Sequence, residues 1–165
     1  MQSSLPPGIS LVKADDLEEW QMDISVLDKS NPLYLNETYR LKFTFSKNYP
    51  IEAPEVQFVS IRPTPTPTPA PATSATTTPT PPSTTPSTAR PIPIHPHIYS
   101  NGIICLDLLG TAWSPVQTVE SVCMSIQSML ASNTKNERPP GDEHFVATNR
   151  QRPRDIRFYY DDSTV

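Results

Sequence analysis

No apolar run in the chain approaches the ~20 residues needed to cross a bilayer. The opening stretch, MQSSLPPGISLV, has no basic segment leading into an apolar one, as a secretory leader would. Both absences point away from the membrane and the secretory route, and toward the cytoplasm or nucleus. Positive charge is also scarce: 13 Lys and Arg stand against 17 Asp and Glu, for a net charge of -4. A nucleic-acid partner is therefore not expected, because such binding draws its affinity from basic side chains neutralising phosphates. Only two cysteines are present, Cys105 and Cys123. In a reducing compartment they do not make a disulfide framework, and each is read as either structural or reactive.

The 165 residues suit one domain. Most of the excess among the 21 prolines comes from RPTPTPTPAPATSATTTPTPPSTTPSTARP, Arg62 to Pro91. This tract has almost no bulky apolar side chain to offset the entropy lost on ordering, so it reads as a disordered, extended loop or spacer. Before it, three segments alternate with period two. They are Trp20, Met22, Ile24 and Val26; then Tyr39, Leu41, Phe43 and Phe45; then the start of Val56 to Ile61. Alternation of this kind predicts half-buried strands, and the Asn/Pro/Ser-rich connections predict a three-stranded antiparallel meander.

After the tract, Ser114-Pro115-Val116-Gln117 reads as a capping box with Pro at the first helical position. Val116, Val119, Val122, Cys123, Ile126, Met129 and Leu130 then recur at helical spacing, ending near Ser132. The sheet needs a cover and the helix needs something to cover, so the two are expected to form one α+β domain with the helix across one sheet face. That makes residues 1–61 and 92–150 a single core domain, 62–91 an insertion and 151–165 a flexible polar tail. Beyond NERPPGDEHF no further element is read.

Cys123 lies on the apolar helix face and reads as a small buried hydrophobe. Cys105 follows a turn signal at Asn101-Gly102 in an irregular segment, a setting that suits a reactive thiol. Three chemistries could use it. A cysteine hydrolase needs a histidine base beside the thiol, and His95, His97 and His144 are available, but no protease-type motif surrounds Cys105. A metal site could draw on His95, His97 and Cys105, yet structural zinc wants four ligands, so no metal is expected. An acyl carrier holding its cargo as a thioester needs an accessible thiol and polar support for the developing oxyanion.

YPIEAPEV, HPHIYSNGIICLDLL and WSPVQTVESVCMSIQSML resemble, in order and spacing, the core of ubiquitin-conjugating enzymes. The likeness rests on the proline-bearing loop, His95-Pro96-His97, Cys105-Leu106-Asp107 and Trp113-Ser114-Pro115. It implies that family's fold, with Cys105 accepting ubiquitin from an activating enzyme and donating it to an amine. It implies catalytic roles for Cys105, His97 and Asp107, with His95, Pro96 and Asn101 supporting the active-site loop. Pro50, Ile51, Ala53, Pro54, Ser114 and Pro115 would form the docking surface for a RING-type ligase, and Trp113 a packing anchor. No cofactor would be bound, ATP being consumed upstream by the activating enzyme.

Most members have Asn where this chain has His97. That His, with Arg138-Pro139-Pro140 and the aromatic-then-acidic terminus, looks like the W-type enzymes, which modify substrate N-termini. The chemistry is consistent with that direction. An α-amine has a pKa of about 7.7–8.0 and a lysine about 10.4, so far more of the former is neutral at pH 7. Lysine-directed members keep an acidic group near the helix end, where this chain reads Ala131-Ser132-Asn133-Thr134. Protein substrates with flexible N-termini are the expected acceptors. Members also begin with a basic amphipathic helix, whereas only MQSSL precedes Pro6-Pro7-Gly8. That difference leaves a non-catalytic ubiquitin-system binding module of the same fold as the alternative.

Overall fold

Period-two alternation places Met22 and Ile24 on one side of a strand and Gln21 and Asp23 on the other. The computed structural model, which describes residues 4–63 and 89–156, builds a sheet from four such segments. They are β1 (Ile9–Lys13), β2 (Glu19–Ser25), β3 (Thr38–Thr44) and β4 (Glu55–Val59), in the antiparallel order β1-β2-β3-β4. Facing residues fall in register across the sheet: Met22 opposite Leu41, Leu41 opposite Phe58, and Phe43 opposite Val56. The meander therefore has one strand more than its sequence pattern announces. In β1 only Ile9 is buried, Leu11 and Val12 are both exposed, and the register shifts between Leu11 and Lys13. A bulged edge strand loses the alternation by which strands are recognised.

Helix α1 (Val119–Ala131) covers the apolar face. Its buried residues Val122, Cys123, Ile126 and Leu130 share a core with Met22, Ile24, Leu41, Phe43 and Phe58. Burying each large apolar side chain contributes roughly 1.5–3 kcal/mol. The helix starts four residues later than the Ser114 reading. Thr118 is the cap: its hydroxyl accepts from the Ser121 N–H, and the Ser121 hydroxyl accepts from the Thr118 N–H. Ser114-Pro115 instead makes a turn closed by the Gln117 N–H on the Ser114 carbonyl, which leaves Val116 83% exposed rather than on the apolar stripe. Two Ser/Thr boxes compete here, and the one adjoining the first partly buried residue, Val119, sets the start.

The other face of the sheet carries a partly buried charge cluster. Asp23 pairs with Arg40 from the neighbouring strand and with Arg90 at 3.0 Å. Burial raises the Asp23 pKa, but the two guanidinium groups outweigh it and hold the carboxyl below its usual value. Arg90 also exchanges two backbone hydrogen bonds with Ile61, at 2.8 and 2.9 Å. One end of the Pro/Thr tract is thus fastened to the other and to the sheet. The expected disorder of the tract falls mostly on residues 64–88, outside the described residues.

A second helix, α2 (Asp142–Thr148), lies in the region where no element is read from sequence. At seven residues it is too short to show an apolar period. Its anchors are single contacts: Phe145 stacks on Tyr99 with ring centroids 3.8 Å apart, and Asp142 accepts from the Ser100 N–H at 2.8 Å. In the stretch expected to be a flexible tail, residues Pro153–Asp155 form a helical turn. Residues 157–165 lie outside the described residues. Among the described residues no helix is long and apolar enough to cross a membrane.

Candidate active site

The segment from Ile92 to Leu109 runs from the end of α1 past the edge of the sheet without a regular element until its last turn, Asp107–Leu109. Its shape is set by hydrogen bonds. Gly102 carries the tightest approach: its φ is +92°, and a Cβ there would sit 1.9 Å from the Phe58 carbonyl oxygen. Only glycine fits. The Phe58 N–H donates to the Gly102 carbonyl at 2.9 Å, tying the turn to β4. Asn101 accepts from the Ile103 N–H at 3.2 Å, which rigidifies the turn from within.

His95 is 4% exposed and both ring nitrogens are engaged. Nδ1 accepts from the His97 N–H at 2.9 Å, which puts the ring proton on Nε2, 3.3 Å from the Met129 carbonyl at the end of α1. Burial pulls the His95 pKa down to about 4, with the neighbouring His97 adding to the effect. A neutral imidazole spent on two backbone groups is neither a base for a cysteine nor a metal ligand. The His97 carbonyl accepts from the Cys105 N–H at 2.8 Å. A continuous path therefore leads from the helix end through His95 and His97 to the Cys105 backbone. The His97 side chain is exposed, its ring centroid 5.4 Å from that of His95, and Pro96 between them is half-buried.

Cys105 is half-buried, whereas Cys123 is wholly buried. Burial raises the Cys105 thiol pKa to about 11, and the Asp107 carboxylate adds to the rise. Asp107 is exposed at the start of the following turn. Asn133 is buried and committed, donating to the Tyr34 hydroxyl at 2.6 Å and to the Lys135 carbonyl at 2.8 Å. Ala131, Ser132 and Thr134 complete a helix end with no carboxylate in its sequence. Among the described residues, no group of three His, Cys, Asp or Glu is arranged to hold a metal ion.

The two loops read as a docking surface meet at Trp113, whose indole N–H donates to the Pro50 carbonyl at 3.0 Å. Tyr49, joined to Pro50 by a cis peptide bond, lies against the Trp113 ring with centroids 6.3 Å apart. Pro50, Ile51 (78% exposed) and Pro115 face solvent, while Ala53 and Ser114 are half-buried. Pro54 departs from its reading as a docking residue. It is buried, because the chain turns inward there to enter β4, so it shapes the surface without presenting a face to a partner.

Several residues shape the site through contacts that no local sequence pattern announces. Asn31 closes the end of α1 by donating to the Ala131 and Asn133 carbonyls at 3.1 and 3.0 Å. Tyr34 donates to the Ile94 carbonyl at 2.7 Å. Arg138 donates to the carbonyls of Ile92, Pro93 and Ile98. All three act over a sequence separation of at least 40 residues, beyond the reach of any pattern of spacing.

The site thus sets a partly buried thiol in a braced loop beside an antiparallel sheet and its covering helix. Residues 1–158 match the family of ubiquitin-conjugating enzymes, and the chain belongs to that family. Its relatives include the probable ubiquitin-conjugating enzyme E2 W of Dictyostelium discoideum, 36% identical over all of this chain and 90% of that protein. Ubiquitin-conjugating enzyme 15 of Arabidopsis thaliana is 37% identical over 99% of this chain and 83% of its own length. The fold agrees. The crystal structure of the ubiquitin-conjugating enzyme UbcA1 from Agrocybe aegerita superposes with a TM-score of 0.69 at 39% identity, covering 91% of this chain and 86% of that one. The family supports a transferase working with ubiquitin, an activating enzyme and ligases. The likeness to W-type enzymes first noted at His95-Pro96-His97 extends over the whole chain.

Proposed function

We propose that this chain carries ubiquitin as a thioester on Cys105 and transfers it to amines, with preference for the α-amino group of flexible substrate N-termini. The observation that carries the reading is the contrast in access between its two thiols: Cys105 is only partly buried in a braced loop and Cys123 is sealed in the core. In this reading Cys105 attacks the thioester of ubiquitin on the activating enzyme, whose thiol leaves, and ATP is consumed in that upstream step. An acceptor amine then attacks the carbonyl held on Cys105, and the Cys105 thiolate leaves and regains a proton. His97 flanks the developing oxyanion and Asp107 the incoming amine. Exposed Pro50, Ile51 and Pro115, with half-buried Ala53 and Ser114 beside them, offer the surface for a RING-type ligase, and the protein works in the cytoplasm or nucleus.

The preference for α-amines follows from acid-base chemistry. A lysine must lose a proton held at a pKa of about 10.4, and an α-amine one at about 7.7–8.0. Asn133 is occupied by Tyr34 and Lys135, and the helix-end sequence Ala131-Ser132-Asn133-Thr134 holds no carboxylate of its own to ease a lysine's deprotonation. An enzyme offering little help favours the amine that needs little.

The test is a charging reaction with activating enzyme, ATP and ubiquitin, resolved on a non-reducing gel. A thiol-sensitive adduct is expected with the wild type and with Cys123→Ala, and none with Cys105→Ala. Discharge to peptides with free and with acetylated N-termini, each bearing one lysine, then measures the amine preference. Equal rates would overturn the preference, and no adduct with the wild type would leave the binding module as the reading.

A further inference from the structure

The loop carrying His95, Pro96 and His97 is gripped on both sides by one side chain. Arg138 Nη1 donates to the Pro93 carbonyl at 2.7 Å and to the Ile98 carbonyl at 3.2 Å, and Nη2 donates to the Ile92 carbonyl at 3.2 Å. Pro93 and Ile98 are fully buried. The loop also closes on itself through a bridge between His95 and Ile98. Burial lowers the Arg138 pKa from its usual value, an effect that neighbouring Asp142 opposes. The loop so clamped is the one whose His97 carbonyl holds the Cys105 N–H at 2.8 Å.

We infer that Arg138 is a positioning residue for ubiquitin transfer: its guanidinium fixes the Ile92–Ile98 loop and, through His97, the backbone of Cys105. The transfer half of this statement rests on the carrier role proposed for Cys105. A planar fork with several fixed donors can satisfy carbonyls arriving from two sides at once, which a lysine ammonium on a flexible stem does poorly. Arg138 itself touches neither thiol nor acceptor. The Tyr34 hydroxyl bond to the Ile94 carbonyl and the His95 bond to Met129 remain when Arg138 is removed, so the loop stays attached while losing its register.

The experiment compares Arg138→Ala, Arg138→Lys and Arg152→Ala, the last removing the same charge from a 65% exposed side chain. Two readouts are taken on the full chain. One is single-turnover discharge of the preformed ubiquitin thioester to a peptide with a free N-terminus. The other is amide hydrogen exchange by NMR at Cys105 and, as reference, at Leu41 in the sheet.

Small displacements of reacting groups cost up to about a hundredfold in rate, so Arg138→Ala is expected to slow discharge by about 10- to 100-fold at saturating peptide. Its KM for the peptide is expected to stay constant. Exchange at Cys105 should rise with Leu41 unchanged, Arg138→Lys should recover part of both effects, and Arg152→Ala should match the wild type. Unchanged discharge with unchanged Cys105 exchange would overturn the inference. So would an equal rise at Cys105 and Leu41, which is the mark of general destabilisation. Should the wild type form no thioester, the carrier role fails, and exchange at Cys105 still decides whether Arg138 positions that backbone.

Discussion

Cys105 and Cys123 are the same residue in two kinds of surroundings. Cys123 sits on a regular helix among Val122, Ile126 and sheet residues, held by shape and apolar area. Cys105 sits in irregular chain, held by directional bonds from His97 and the loop around it. Burial raises both thiols, Cys123 to about 12 and Cys105 to about 11, and each has a nearby carboxylate, Glu120 or Asp107, adding to the rise. A depressed pKa therefore does not set Cys105 apart from Cys123; access and backbone placement do. A thiol of high pKa is a strong nucleophile once deprotonated and a slow leaving group, and the slow departure would serve the carrier role proposed for Cys105.

The contrast can be broken first on its apolar side. Ile126→Ala, at a wholly buried position, is expected to cost about 2–5 kcal/mol in urea denaturation. A smaller cost would mean that the helix–sheet core gives way as readily as the loop.

The loop side is probed by pH. The folded state keeps His95 neutral, with a pKa of about 4 against the ordinary 6.5. Its contribution is complete above the unfolded value and is lost as pH falls through the folded one. Stability is thus expected to drop by about 3 kcal/mol between pH 6.5 and 4, read from denaturation midpoints. His95→Gln should flatten this window. Asp23 works in a separate one, because its lowered pKa stabilises above its ordinary 3.8 and fails only below that.

Third, Cys123→Ser buries a hydroxyl in the core at a cost of about 1–3 kcal/mol. Cys105→Ser should shift stability by no more than about 0.5 kcal/mol. Thermal melts of the pair sharpen the division between a packing thiol and a working one. The smallest effect is expected from Asp107→Asn. Removing the carboxylate lowers the Cys105 pKa, so iodoacetamide labels it faster at pH 8, by less than about tenfold because burial is the larger cause.

The same division explains what could be read from sequence. The strands β2, β3 and β4 and the run from Val119 to Leu130 obey apolar periods, and their place in the fold followed from those periods. β1 hid because an edge strand with a bulge buries only Ile9. The start of α1 was displaced because Ser114-Pro115 and Thr118 both resemble caps, and only packing at Val119 distinguishes them. Cys105 was marked by its irregular, turn-flanked setting and by the motifs around it. The bracing by Asn31, Tyr34 and Arg138 left no trace, since hydrogen bonds to backbone carbonyls ask nothing of the sequence at the accepting end.

The pairing of Ile61 with Arg90 has a consequence for how such a chain can change. Two mutual backbone bonds and the Asp23 anchor close the domain at that point, whatever joins the two residues. Doubling the length of a flexible connection adds only about 0.6 kcal/mol of closure entropy. The site is a built-in socket. A lineage or an engineer can lengthen the connecting segment, shorten it or exchange it for a foreign module, and the enzyme beneath keeps its shape.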